Sequence, residues 1–79
     1  MDRYYFDVRD SDENIRDEEG YELPSLEAVQ REAVLSLADG SRDVAERAIG
    51  SLTELAIDVR DESGPVMQVT FSFHLFHTN

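Results

Sequence analysis

The stretch IRDEEGYELPSLEAV, residues Ile15–Val29, decides how the chain is organised, because it leads from an extended segment into a helix. Four carboxylates lie between Asp17 and Glu22 around a glycine, a composition typical of a solvated turn. Ser25 follows a proline, and its hydroxyl can accept a hydrogen bond from an unpaired amide of a first helical turn. The stretch therefore predicts an acidic turn followed by a helix that Ser25 caps.

The residues after Ser25 have the apolar period of an amphipathic helix. The apolar stripe keeps its phase across Gly40 and consists of Leu26, Val29, Ala33, Leu37, Val44 and Ala48. One helix through Gly40 is therefore predicted, although this glycine costs about 1 kcal/mol relative to alanine. Gly50 is predicted to end the helix, since glycine is common just past a helix C-terminus.

Segments on both sides of the helix alternate between apolar and polar residues, which is the period of a half-buried strand. Arg3–Arg9 is such a segment before the helix, and Leu52–Arg60 and Val66–Phe76 are two more after it. Asn14–Asp17 is expected to be a short return strand behind a polar turn. Asp61–Gly64 has the composition of a tight hairpin loop.

These elements predict an α+β fold in the order ββαββ. An antiparallel sheet of about four strands would pack one face on the single long helix. The predicted core consists of Phe6, Leu26, Val29, Leu37, Ile57, Val59, Phe71 and Phe73. Residues 1–79 are expected to form a single small domain, because no linker or internal repeat interrupts them. A core of this size is modest, so regular elements or oligomerisation would have to support it.

The net charge of −11 excludes several classes of partner. Eighteen acids oppose seven bases, all of them arginine, and no basic patch is visible. Binding to nucleic acid or to an anionic membrane requires such a patch, so neither partner is predicted. The sequence also has no apolar run of about 20 residues, no signal-peptide pattern and no cysteine. A cytoplasmic protein is the resulting expectation.

The acidic segment is a candidate metal site. Asp10 begins a D-x-D-x-N pattern, but a calcium loop needs glycine and an acid where Ile15 and Tyr21 stand. A non-standard divalent-cation site in the 10–22 loop stays open as an alternative, with Asp17, Glu18, Glu19 and Glu22 as its carboxylates. His74 and His77 point to opposite faces of a strand and make a poor metal pair. We predict no metal and no cofactor.

Signs of catalysis are lacking in the sequence. No serine has a recognisable nucleophile context, and no glycine-rich phosphate loop is present. Acid–base chemistry requires a desolvated carboxylate with a raised pKa, whereas the acids here cluster in a turn predicted to be solvated. We therefore predict that the protein is not an enzyme and has no small-molecule substrate.

The outward face of the predicted sheet is the candidate interaction surface, since Tyr and Arg are enriched at protein interfaces. The residues proposed for it are Arg3, Tyr5, Arg9, Thr70, Ser72, His74 and Phe76. The last strand could also pair edge to edge with a second copy. The expected partner is thus another protein or a second copy in a homodimer, and a simple solvated face is the alternative.

Three segments resemble a family of short uncharacterised proteins, each a domain of unknown function, from rhizobia and related alphaproteobacteria. They are RYYFDVRD (residues 3–10), IRDEEGYELPSLEAV and DESGPVMQVTF (residues 61–71), so the match spans about residues 3–71. This resemblance implies a small bacterial cytosolic domain with no assigned activity and no known site. ELPSLEAVQREA (residues 22–33) is more loosely similar to bacterial antitoxins, which implies a toxin-binding domain as a further alternative.

Overall fold

The structure is a computed structural model that describes residues 1–10, 13–47 and 53–73. It is an α+β fold, as the sequence predicts, with one helix on an antiparallel sheet. The elements in chain order are β1 (Asp2–Asp10), β2 (Asn14–Ile15), β3 (Tyr21–Leu23), α1 (Leu26–Arg47), β4 (Thr53–Asp61) and β5 (Gly64–Phe73). No helix in the described ranges is both long enough and apolar enough to cross a membrane.

Strand β1 lies inside the sheet, whose order is β2-β1-β4-β5. β2 pairs with Val8 and Arg9, and β3 pairs with Asp2–Tyr4, so both short strands line the same side of β1. β4 pairs with the other side of β1 and also with β5. Strand β5 therefore forms one edge of the described sheet.

The predicted order ββαββ with about four strands is wrong in detail, because the structure has five strands in the order βββαββ. The return strand predicted at Asn14–Asp17 ends at Ile15, and Tyr21–Leu23 forms a further strand. Between them the chain leaves the ladder, and the Asp17 carboxylate accepts the hydrogen bond of the Phe6 amide at 3.1 Å. At Phe6, between the parts of β1 that pair with β2 and with β3, a side chain thus replaces a neighbouring strand as the hydrogen-bond acceptor.

The predicted start of the helix is confirmed. Ser25 Oγ accepts a hydrogen bond from the Ala28 amide at 3.1 Å, and the Ser25 carbonyl accepts one from the Val29 amide at 3.1 Å. The first bond satisfies an amide that a helix cannot satisfy by itself, and the second is the first backbone bond of the helix. Gly50, the predicted end, lies outside the described residues.

Continuation of the helix through Gly40 is also confirmed. A Cβ atom at Gly40 would lie 2.9 Å from Cδ2 of Leu55, which is closer than ordinary van der Waals contact. The glycine therefore lets α1 approach β4 closely, which offsets its low helix propensity. The side chains of Val44 and Ala48, predicted for the apolar stripe, lie outside the described set.

The core lies between α1 and the β1–β4 pair. Its buried cluster consists of Tyr4, Phe6, Val29, Ala33, Ile57 and Val59. Leu37 packs against this cluster as predicted, and Phe71 is half-buried. Leu26 is 58% exposed, contrary to prediction, because side chains tilt toward the helix N-terminus and that of the first helical residue points past the core. The Phe73 side chain lies outside the described set.

Candidate functional site

The outward face of the β1–β4 pair carries a polar network centred on Arg60. Its Nε donates to Asp7 Oδ2 at 2.9 Å, and its Nη2 donates to the Asp17 carbonyl at 2.9 Å. The guanidinium carbon lies 4.4 Å from the centre of the Tyr5 ring, which stands opposite Arg60 across the two strands. Arg60 thus joins β4, β1 and the loop after β2 through a charge pair, a carbonyl and an aromatic ring.

Asp7 is held in its ionised form by this network. Partial burial raises its pKa, but hydrogen bonds from Arg60 and from the Asp17 amide, with the charges of Arg60 and Arg16, outweigh burial and lower the pKa below its ordinary value. The hydrogen bond to Asp7 in turn raises the pKa of Arg60. The side chains of Asp7 and Arg60 are each about a quarter exposed, at 26% and 25%. The pair is therefore shielded better than an ordinary surface ion pair.

Asp17 organises the acidic loop. Its carboxylate accepts three backbone amides, from Phe6 at 3.1 Å, Glu19 at 3.1 Å and Gly20 at 3.0 Å. Burial and the nearby charge of Asp7 raise its pKa, but these three hydrogen bonds outweigh both, so the pKa of Asp17 lies below its ordinary value. The interpretation of the whole segment as a solvated turn is therefore wrong for Asp17, which ties the loop to β1.

Gly20 permits this arrangement. Its φ angle is +71°, a conformation that residues with a side chain rarely adopt. A Cβ atom there would lie 2.8 Å from the Tyr4 carbonyl oxygen and 3.0 Å from side-chain atoms of Arg3 and Tyr5. The D-x-x-G spacing of Asp17 and Gly20 is the sequence signal for such a turn, in which an aspartate accepts amides just ahead of it.

The loop offers little to a divalent cation. The Asp17 oxygens are committed to amides, and Glu22 pairs with Arg3 at 3.1 Å. In the described ranges no three histidine or acidic side chains converge on one point. Asp12 lies outside these ranges. The alternative of a cation site in the 10–22 loop therefore has no ligand set in the part of the chain that the structure describes.

Residues of the proposed interaction surface that lie on β1 make internal contacts. Arg3 donates to the Glu19 carbonyl at 2.6 Å as well as to Glu22, and Tyr5 lies beneath Arg60. Arg9 pairs with Asp58 at 3.3 Å on an exposed part of the face. These three residues share the outward face, but the guanidinium groups of Arg3 and Arg9 and the ring of Tyr5 are already engaged within the chain.

Residues of the proposed surface that lie on β5 are separated from β1 by β4. Thr70 and Ser72 are exposed on the outward face, opposite Ala56 and Glu54. His74 and Phe76, the other two candidates near the end of the chain, lie outside the described residues. The proposed surface is therefore two separate patches, one on β1 and one on β5.

The edge of β5 has a property that the analysis of the sequence missed. From Gly64 to Asn79 the sequence contains no Asp, Glu, Lys or Arg, so all eighteen acids precede it. Edge strands are usually protected from pairing by charges, prolines or bulges. Pro65 and a register shift beside Arg60 lie at the start of β5, whereas Met67–Phe73 carries neither charge nor proline. We call the side of Met67–Phe73 that faces away from β4 the β5 edge.

Two depressions accompany these features. One, of about 470 Å³, adjoins the Arg60–Asp7 pair and is lined by Asp7, Asp58, Val59, Arg60, Pro65, Val66, Met67 and Gln68. Its charged groups are already engaged, since Asp7 pairs with Arg60, and Asp58 pairs with Arg9 and accepts a hydrogen bond from Gln68. The other, of about 400 Å³, lies on the outer side of α1 beside the exposed Val34 and Leu35. Both are open depressions on the surface.

Comparison with known proteins identifies the family. Residues 3–72 match the family described as a domain of unknown function (DUF6894), and this range is most of the chain. The chain belongs to this family, which confirms the expected membership of a family of unknown function. No curated protein and no solved structure matches the chain.

Proposed function

We propose that the chain is a non-catalytic protein-interaction module of the bacterial cytoplasm that binds a partner by strand addition at the β5 edge. The observation that carries this proposal is a seven-residue uncharged strand edge, Met67–Phe73, on a chain whose net charge is −11. Added strands bind through the backbone groups of an edge, and alternate side chains give specificity. A charged edge would oppose such binding.

The side chains of β5 favour an added strand. Met67, Val69 and Phe71 alternate on the helix side of the sheet and are half-buried, so a neighbouring strand would remove further apolar surface from water. Gln68, Thr70 and Ser72 are exposed on the other side and can make polar contacts with a partner. Both sides of the strand thus contribute contacts.

The lowered pKa values of two carboxylates, Asp7 and Asp17, support a non-catalytic role. A general acid that works near neutral pH needs a raised pKa. Asp7 on the outward face and Asp17 in the loop beside it are partly buried, have lowered pKa values and are bound by arginine or by backbone amides. Their arrangement is suited to holding the loop and the strands together.

Site-specific photo-crosslinking in cells that naturally express the chain tests the proposal. A benzophenone side chain at position 70 is expected to form a covalent adduct with a protein, and Ser72→Lys in the same chain is expected to abolish the adduct. The matched control is the same probe at the exposed position 18, on the acidic loop. No adduct at position 70, or an adduct unaffected by Ser72→Lys, would contradict strand addition.

The toxin-binding alternative is a special case of this proposal. An antitoxin-like domain would also bind a protein, and its partner would be found in the adduct at position 70 as a chain of different mass. The cation-binding alternative makes a separate prediction, namely that millimolar calcium or magnesium raises the melting temperature of the purified chain.

A further inference from the structure

The distribution of charge bears on which strand the β5 edge accepts. Every acid and every arginine precedes Gly64, so two copies that meet at β5 bring together their uncharged segments. Any approach through the acidic loop around Asp17–Glu22 would instead oppose like charges. A basic partner would be attracted to that loop and not to β5. The β5 edge thus fits an uncharged strand, and the chain itself contains one.

Resting on the proposed function, we infer that the added strand is β5 of a second copy, paired antiparallel about a two-fold axis at Thr70. In this register Thr70 lies opposite its own counterpart, Val69 lies opposite Phe71, and Gln68 lies opposite Ser72. Residues directly opposite each other share one face of a sheet, so apolar residues meet apolar ones and polar residues meet polar ones. The sheet continues from one copy into the other.

Neighbouring registers are less suitable. An axis at Val69 places Pro65 inside the new ladder, and proline has no amide to donate. It also extends the pairing to the register shift beside Arg60. An axis between two residues would place the apolar side of one strand beside the polar side of the other. The Thr70 axis uses Met67–Phe73 and avoids both the proline and the irregularity.

A two-fold axis perpendicular to the sheet keeps both helices on one face of the continuous sheet. The half-buried side chains Met67, Val69 and Phe71 then lie at the seam, where each copy covers those of the other. Pairs of an aromatic with a β-branched residue, and of two threonines, are favourable across antiparallel strands. The seam therefore buries apolar side chains that the isolated chain leaves partly exposed.

Single-cysteine variants test this register directly, because the chain contains no native cysteine. Thr70→Cys is expected to give a covalent dimer under mild oxidation or with a short bismaleimide, which accommodates pairs too far apart for a relaxed disulfide. Gln68→Cys and Ser72→Cys are each expected to form no covalent dimer alone and to crosslink when the two variants are mixed. Glu18→Cys is the exposed control, and circular dichroism checks that each variant folds. Crosslinking of Thr70→Cys no greater than that of Glu18→Cys would overturn the inference, and so would crosslinking of Gln68→Cys with Thr70→Cys that exceeds its crosslinking with Ser72→Cys.

Sedimentation equilibrium separates this inference from the proposed function. The unmodified chain and Glu18→Gln are expected to be dimers, whereas Thr70→Lys, which changes the net charge equally, is expected to be a monomer of unchanged fold. A monomeric unmodified chain together with a foreign protein in the adduct at position 70 would leave strand addition standing and overturn self-pairing. The absence of any adduct would overturn both.

Discussion

The β1–β4 pair and the β5 edge lie in the same sheet but differ in how far their polar groups are bonded within the chain. On the outward face of β1–β4, Asp7, Arg60 and Asp17 satisfy one another and nearby backbone groups. Along Met67–Phe73 the described sheet supplies a neighbour on one side, and the side chains carry no charge. The first region stabilises the chain itself, whereas the second has half-buried apolar side chains and a strand edge that the described sheet leaves without a neighbour.

This difference changes how the outward face should be interpreted. Tyr5 and Arg3 have the residue types of an interface, yet their contacts in this fold are internal. Thr70 is unremarkable in composition, yet it lies on the strand that ends the described sheet. Residue type alone therefore does not show whether a side chain of this face is engaged within the chain, whereas its position in the sheet does.

Of the substitutions in the β1–β4 region and the loop beside it, Gly20→Ala should reduce the stability of the chain most. Alanine at φ +71° is strained, and its Cβ would lie 2.8 Å from the Tyr4 carbonyl oxygen, so the loop must move away from β1. We expect the free energy of unfolding to fall by about 3 kcal/mol, combining the backbone strain with the steric overlap. Chemical denaturation measures the loss.

Gly64→Ala is the matched control. Gly64 also has a positive φ, +127°, but a Cβ there would meet nothing within 4 Å. We expect a loss of about 1 kcal/mol, from backbone strain alone. Equal losses in the two variants would show that the close contact with Tyr4 does not hold the loop to β1.

Asp17→Asn tests how much the hydrogen bond between the Phe6 amide and the Asp17 carboxylate stabilises the chain. The asparagine amide group would face the Phe6 amide, donor against donor, so one partly buried hydrogen bond is lost. We expect a loss of about 2 kcal/mol at pH 7. Glu18→Gln, on an exposed neighbour, should change stability by less than about 0.5 kcal/mol.

The effect of Asp17→Asn should depend on pH. The pKa of Asp17 lies below its ordinary value of 3.8 in the folded chain, so the stabilisation by its ionised form is fully present above about pH 4. It is lost as the pH falls through the lower pKa of the folded state, because the unfolded chain binds the proton more readily. The difference between the unmodified chain and Asp17→Asn should therefore shrink below pH 3.8, and a constant difference would contradict the proposed role of the carboxylate.

Asp7→Asn should have a smaller effect, because Arg60 keeps its bond to the Asp17 carbonyl and its contact with Tyr5. We expect a loss of about 1 kcal/mol. Asp58→Asn, in the more exposed pair with Arg9, should cost less than about 0.5 kcal/mol. Thermal unfolding would compare the two variants, and a larger loss for Asp58→Asn would reverse our ranking of the two ion pairs.

Much of the fold could be predicted because the signals are local. The Ser25 cap, the continuous helix through Gly40 and the loop at Asp61–Gly64 each depend on residues a few positions apart. The hairpin loop is stabilised within itself, with the Ser63 amide donating to Asp61 Oδ1 at 2.7 Å. Strand β3 was missed because three residues are too few to show an alternating pattern, and because it pairs with the far end of β1.

The candidate site was predicted less well. Thr70 and Ser72 lie on the outward face that their alternation indicates, but the sequence did not identify Asp7, Asp17 and Arg60 as a unit. Asp7 and Arg60 are 53 positions apart in the sequence, and their contact exists only because β1 and β4 pair in one particular register. A change of register by one residue would place them on opposite faces.

By itself, the sequence determined the capped helix, the alternating strands and the uncharged segment after Ser63. Each of these features depends only on residues close together in the sequence or on the composition of one segment. The tertiary structure decided that β1 and β4 lie inside the sheet and that the Asp17 carboxylate, in place of a strand, accepts the hydrogen bond of the Phe6 amide. It also decided that the uncharged strand β5 lies at the edge of the described sheet. The physical reason is that strand order and register depend on burying one face of the long strands against a single helix, which only the folded chain as a whole can satisfy.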